Sequence, residues 1–200
     1  MHSSTIRFYE DNASEYSLNT IREDMRHAYS KFIPMISKNG SIVDAGCGSG
    51  RDSIFFLNQG FEVSSFDASS KMVEVASRNS GMEIWVGEFK DFHSEKLFDG
   101  VWACASLLHL SRDLIPGTIQ HLSRYLKNKG VFYLSFKFGT GERESNGRFF
   151  CDMDHTLCMD LIQEIDGLEL REYWTSVQSS ADHETKWSNL LLQKIENCIS

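Results

Sequence analysis

Apolar positions along the chain fall into two rhythms. Between residues 19 and 36, Ile21, Met25, Ala28, Tyr29, Phe32 and Ile36 recur every three or four positions, which predicts one amphipathic helix. Pro34 has no backbone N–H and bends or ends it. From residue 41 onward, short apolar runs alternate with helix-period segments. SIVDA (41–45) reads as a buried strand, RDSIFFLNQG (51–60) as a helix closed by Gly60, and FEVSSFDAS (61–69) as a second strand. SSKMVEVASRNS (69–80) reads as a helix capped by Ser69 or Ser70, with Met72, Val73 and Ala76 facing inward. MEIWVG (82–87) and FDGVWACAS (98–106) are third and fourth strands. DLIPGTIQHLSRYLKNKG (113–130) is a helix that tolerates Pro116 in its first turns and stops at Gly130. VFYLSFKF (131–138) is a fifth strand, and the polar, glycine-punctuated GTGERESNGRFF (139–150) reads as a long loop. A helix follows from Asp154, its cap, to Gly167. Two closing strands, 168–178 and 186–195, are joined through SSADHET.

Strands that alternate with helices predict an α/β fold: a seven-stranded, mainly parallel sheet with helices on both faces. The closing pair adds an antiparallel strand at one side. The 200 residues suit a single domain, 1–200, and a chain of that length buries about 70% of its unfolded surface, so the core needs no staples. Five cysteines (47, 104, 151, 158 and 198) form no CxxC pair, which favours reduced thiols and a cytoplasmic location. The first residues have neither a basic start nor an apolar core, so no signal peptide is expected. No run approaches the roughly 18 apolar residues of a membrane span. A net charge of −8 disfavours nucleic acid as a partner and leaves a small molecule as the expected one. Nothing in the sequence bears on oligomeric state. Cys151, Asp152, Asp154, His155 and Cys158 cluster along the chain, but their spacing matches no common zinc site, so no metal is expected.

The chemistry concentrates in VDAGCGSG. Gly46, Gly48 and Gly50 lie two apart between a strand and a helix, where the backbone must turn sharply and approach a ligand. The run is G-x-G-x-G, not the G-x-G-x-x-G of dinucleotide sites. Asp44 just before it would repel phosphates and suit a cationic group. Asp67, which ends the second strand, can accept hydrogen bonds from a ribose diol. A ribose and a positive end without phosphate describe S-adenosylmethionine.

VDAGCGSG and SSFDASSKMVEVA resemble the first two motifs of class I S-adenosylmethionine-dependent methyltransferases. FDGVWACASLLHLSRD resembles their fourth-strand motif and LKNKGVFYLSF their fifth. Within that superfamily the chain is most similar to small tellurite-resistance-type methyltransferases. The resemblance implies a Rossmann-like fold and S-adenosylmethionine as cofactor. Implied cofactor contacts are Asp44, Gly46, Gly48, Gly50, Arg51, Asp67, Ala68, Ser69 and Met72, with Glu88 or Asp91 on the adenine, Phe89 beside it, and Cys104 and Ala105 beside the methyl donor. FYEDNASEY resembles a segment that closes over the cofactor in relatives. Tyr9 and Tyr16, two helical turns apart, share a face, and Tyr16 covers the donor's tail within a cap formed by residues 1–38.

His109 is the candidate general base if the acceptor is a hydroxyl or an amine; a carboxylate, thiolate or oxyanion acceptor needs none. Lys137, Arg143 and Arg148, on a substrate-side loop at 137–153, would suit an anionic acceptor. Two other readings compete: a non-catalytic S-adenosylmethionine-binding subunit and a nucleotide-cofactor oxidoreductase.

Overall fold

A computed structural model of the protein describes residues 2–179 and 184–195. The middle of the SSADHET connection and Cys198 lie outside the described residues. Six α-helices and nine strands follow in order: α1 (Ser3–Thr20), α2 (Arg26–Phe32), β1 (Ser41–Ala45), α3 (Arg51–Asn58), β2 (Glu62–Asp67), α4 (Ser70–Ser80), β3 (Trp85–Val86), β4 (Phe98–Ala103), α5 (Ile115–Ser123), β5 (Leu126–Lys137), β6 (Thr140–Ser145), β7 (Arg148–Met153), α6 (His155–Gln163), β8 (Leu168–Ser179) and β9 (Glu184–Lys194). Seven strands form the main sheet in the order β3-β2-β1-β4-β5-β9-β8. The first five run parallel, and β9 is antiparallel to both its neighbours. The fold class and the seven strands of the main sheet agree with the reading of the sequence.

Alternation along the strands sends neighbouring residues to opposite faces. Val43, Val101, Phe132 and Leu134 join a core with Ile119 of α5 and Leu161 of α6. Ile42, Trp102, Val131 and Tyr133 join a second core with Phe32 of α2 and Phe56 of α3. From β1 the order runs outward to β2 on one side and to β4 on the other. The carboxyl ends of β1 and β4 therefore diverge into a crevice, the usual ligand position in such sheets.

Three segments differ from expectation. The helix expected over 19–36 is two helices, broken at Ile21–Met25, and the second gives way at Ile33 to a 3-10 turn containing Pro34. The helix expected to reach Gly130 ends at Ser123, and β5 starts at Leu126, which pairs with Phe98. Lys129 takes a positive φ of 64° where the ladder shifts register, so the polar LKNKG run belongs to a strand entry. The expected loop at 139–150 is a β-hairpin, β6 against β7, turning through Asn146 and Gly147 at φ of 49° and 73°. An Asn-Gly pair with both residues left-handed is the signature of a two-residue hairpin turn. β6 is almost wholly exposed, which hid it as a strand, whereas Phe149, Phe150, Cys151 and Met153 of β7 are buried.

Candidate functional site

A cavity opens at the crevice, where ligands sit in sheets of this kind. Its floor is the glycine loop. Gly46 has φ of 75°, and a Cβ there would come within 2.7 Å of the Ser106 Cβ, so only glycine lets the loop after β1 pass the end of β4. The amides of Gly46 and Cys47 both donate to the Phe66 carbonyl on β2. Asp67 holds the wall: Oδ2 accepts from the Gly48 amide and Oδ1 from the Ser69 amide, each at 2.9 Å. A carboxylate offers about four lone-pair sites, so both oxygens keep one for a ligand. Burial raises the Asp67 carboxyl, and backbone donors partly offset this. Ser69 caps α4 by accepting from the Met72 amide, which settles the Ser69-or-Ser70 alternative.

The roof is α1. Tyr9 and Tyr16 project from one face, their rings 5.0 Å apart and edge-on, and both line the cavity with Ile6 and Thr20. Ser70 is tied to the same helix through its amide bond to Glu10.

Arg51 and Asp52 open α3. Arg51 Nε and Nη2 donate to Asp52 Oδ1 and Oδ2 at 2.7 and 2.8 Å. The Tyr29 hydroxyl and the Trp102 indole donate to the same carboxylate at 2.5 and 2.8 Å. Burial alone would push the Asp52 carboxyl up; the Arg51 charge and these donors outweigh it and hold it below the usual range. Asp44, buried nearby, receives the Ser53 hydroxyl at 2.5 Å and no other donor among the described residues. Burial, then the Asp52 charge, push it up to about 8. Cys104 receives Arg51 Nη2 at 3.5 Å, and burial pushes its thiol up to about 12, so it stays neutral. Ala105 follows with a positive φ of 50°, its amide held by the Ser135 hydroxyl at 2.9 Å.

His109 is 4% exposed. Nδ1 lies 2.7 Å from the Phe149 carbonyl, which can only accept, so Nδ1 carries the proton and Nε2 accepts from the Tyr9 hydroxyl at 2.9 Å. Burial, with the charges of Arg148 and Lys137, lowers the imidazole to about 4. It is a neutral ring with both nitrogens engaged. It holds Tyr9 in the roof and is a weak base near neutrality.

The hairpin gathers three cations around one ring. Lys137 Nζ, Arg143 Cζ and Arg148 Cζ lie 4.3, 4.7 and 5.1 Å from the centre of Phe150. Arg148 also covers Phe8 at 4.4 Å and approaches Tyr9 at 6.0 Å. Arg143 pairs with Asp152. Among the described residues, neither Lys137 nor Arg148 has a carboxylate partner, and Arg148 Nε is buried without a hydrogen bond. Burial and the two arginines lower the Lys137 ammonium.

A second, larger cavity adjoins the first. Tyr16, Thr20, Arg51, Cys104 and Ala105 wall both, and Tyr133, Ser135 and Asn189 add the far side.

Of the expected contacts, Tyr16, Gly46, Gly48, Arg51, Asp67, Ala68, Ser69, Cys104, Ala105 and His109 line the first cavity. Asp44, Gly50, Met72, Glu88 and Phe89 do not. Met72 and Phe89 are buried beneath the loop, and Gly50 packs on Ala76. Glu88 precedes a 3-10 turn and pairs with Lys90, while Asp91 is exposed. Lys137, Arg143 and Arg148 come together but wall neither cavity. Ser106, at the end of the fourth strand beside Cys104 and Ala105, also lines the first cavity, whereas Asp52 and Thr20 were not anticipated; an acid directly after the loop arginine was the signal available for Asp52. Among the described residues no group of three or more His, Cys, Asp or Glu side chains could hold a metal ion, and no helix is long and apolar enough to cross a membrane.

Fold and site together define a Rossmann-like α/β protein with a ligand cavity at its switch point. A protein-family model described as a methyltransferase domain matches residues 42–130. An uncharacterized methyltransferase of Staphylococcus carnosus is 22% identical over 132 residues, 62% of this chain. This chain spans 64% of that relative's length. Among solved structures, the Burkholderia thailandensis 1,6-didemethyltoxoflavin-N1-methyltransferase, with bound 1,6-didemethyltoxoflavin and S-adenosylhomocysteine, superposes with a TM-score of 0.77. It is 18% identical, covering 96% of this chain and 87% of that one. TehB from Haemophilus influenzae has a TM-score of 0.66 at 16% identity, covering 84% of this chain and 62% of that one. These likenesses show a methyltransferase fold.

Proposed function

We propose that the protein transfers a methyl group from S-adenosylmethionine to a small molecule. One observation carries the reading: a single cavity unites the glycine loop, Asp67–Ser69 and Cys104–Ser106 beneath Tyr9 and Tyr16. S-adenosylhomocysteine in the Burkholderia thailandensis neighbour supports it. When bound, S-adenosylmethionine supplies a methyl group activated by a positively charged sulfur. The chain's own residues hold and orient. Asp67 accepts from a ribose diol with its remaining lone pairs. Arg51, fixed by Asp52, takes the carboxylate of an amino-acid tail. Tyr9 and Tyr16 close the roof and exclude water, with residues 1–38 as the cap. Holding the reacting atoms about 3 Å apart in line supplies much of the acceleration.

An anionic group on the acceptor is supported by Lys137 and Arg148, cations without a carboxylate partner. Lys137 pairs across the ladder with Trp187, a wall of the second cavity, so such a group would reach it at the rim. A single domain fits the continuous sheet. The free thiols at Cys47, Cys104, Cys151 and Cys158 support a cytoplasmic location, and the acidic charge argues against nucleic acid.

Calorimetry tests the donor reading. S-adenosylhomocysteine should bind with micromolar affinity, about −8 kcal/mol. Absence of heat at millimolar ligand, with NAD binding in its place, would return the protein to the oxidoreductases. Binding without any turnover of S-adenosylmethionine across a metabolite panel would make it a non-catalytic subunit.

A further inference from the structure

We infer that the methyl acceptor occupies the second cavity and presents an N–H group, of an amine or a nitrogen heterocycle, to Glu23, which takes its proton. The inference rests on the donor reading above and names the acceptor class for the same site. The second cavity shares its Arg51, Cys104 and Ala105 wall with the first, so a molecule seated there faces the donor's end of the crevice.

Most polar groups in its far wall are already committed. The Tyr133 hydroxyl donates to Asn189 Oδ1 at 2.7 Å, and Asn189 Nδ2 donates to the Ser176 hydroxyl at 3.0 Å. Arg51 is committed to Asp52 through two nitrogens. Glu23 differs. It lies in the break between α1 and α2, lines the cavity, and receives only the Gln178 amide, with no ion pair among the described residues. Trp187 Nε1 donates to Gln178 Oε1 at 3.0 Å, which fixes the amide with its NH₂ toward Glu23. The row Trp187–Gln178–Glu23 therefore holds, in the wall of the same cavity as Cys104 and Ala105, a carboxylate with free lone pairs.

Burial raises the Glu23 carboxyl, opposed by the Arg51 charge and Gln178 and reinforced by the Asp52 charge, which brings it closer to the working range of a proton acceptor. His109 is engaged at both nitrogens and does not compete for this role. In the step, the acceptor nitrogen's lone pair forms the bond to the methyl carbon, and the carbon–sulfur pair stays with sulfur. The N–H proton passes to Glu23, which returns it to water.

Titration of the protein saturated with S-adenosylhomocysteine tests this, with benzylamine, benzimidazole and benzoate as probes. The two nitrogen probes should bind, and Glu23→Gln should weaken them by at least about tenfold, the loss of one charge-assisted hydrogen bond. Benzoate and S-adenosylhomocysteine affinities should not change. Equal affinity of the nitrogen probes for both proteins, or no binding of either to the wild type, overturns the inference. So does loss of S-adenosylhomocysteine affinity in Glu23→Gln, because the residue would then be structural. Failure of the wild type to bind S-adenosylhomocysteine is a separate result: it overturns the donor reading and this inference with it.

Discussion

Two cationic regions differ in how the fold treats them: Arg51 in the wall of the first cavity, and the Lys137–Arg148 cluster, which walls neither cavity. Arg51 sits on a carboxylate that also collects a phenol and an indole, so its charge is balanced and its position fixed. Lys137 and Arg148 stack on Phe150 and Phe8 with no ion-paired carboxylate among the described residues, and Arg148 Nε is buried without a hydrogen bond. A cation bound through two nitrogens to a carboxylate that a phenol and an indole also hold has its position fixed. A cation held by aromatic faces keeps its hydrogen-bonding edges for something else. The same chain thus builds one arginine whose position a buried carboxylate fixes and another whose edges stay open.

The sharpest way to break that contrast is at Asp52. Asp52→Ala would leave Arg51, Tyr29 and Trp102 with buried, unanswered donors. We expect a loss of about 3–5 kcal/mol of stability, the cost of stripping one partner from a buried ion pair. Chemical denaturation would measure it, and a loss below 1 kcal/mol would mean the network is not what fixes Arg51.

The hairpin side should respond in binding instead. Arg148→Ala removes charge-assisted bonds worth about 1.5–3 kcal/mol to an anion, so the affinity for an anionic probe such as benzoate should fall roughly ten- to a hundredfold. S-adenosylhomocysteine affinity should stay as it was. Unchanged benzoate affinity would make the cluster a surface feature, and a collapse in stability would make Arg148 a fixture like Arg51.

A pH effect separates Asp44 from Asp52. The folded Asp44 carboxyl stands near 8, above its unfolded value near 4, so the folded state keeps a proton that the unfolded state loses. Its contribution to stability is full below about pH 4 and is lost as pH rises toward 8, by at most about 1.4 kcal/mol per pH unit. Asp52 has the opposite sign: its depressed carboxyl contributes above its unfolded value and loses that contribution only as pH falls through its folded one. Asp44→Asn, which mimics the protonated acid, should therefore gain on the wild type steadily from pH 5 to pH 8. Parallel stability curves for the two proteins would show that Asp44 is ionised when folded.

Much of this was legible in the sequence because the signals were local. The spacing of Gly46, Gly48 and Gly50 after SIVDA specified a strand–loop–helix junction, and Asp67 at the end of the next strand marked the adjoining wall. Ser69 and Asp154 announced helix starts through caps that reach only three residues ahead. Alternation and helical spacing set the order of strands and helices, and the order largely set the sheet. The Asn146-Gly147 turn was also written locally, but β6 buries no face and so carried no strand rhythm.

Contact across the fold decided the rest. Leu126 became a strand residue because Phe98 offered it a ladder, although LKNKG alone continues a helical pattern. Gly46 is required because of Ser106, sixty residues away in the chain and in contact across the β1–β4 crevice. Asp44 and Asp52 are both acids near one glycine loop. Four donors from α2, α3 and β4 ionise one, and a single hydroxyl leaves the other protonated near neutrality. His109 is a plausible base on paper and a neutral spacer in place, because Phe149 and Tyr9 take its two nitrogens. Residue type and spacing fix which groups a chain carries and which backbone turns it can make. Charge state and availability depend on desolvation and on partners far away in sequence, and these exist only once the chain has folded.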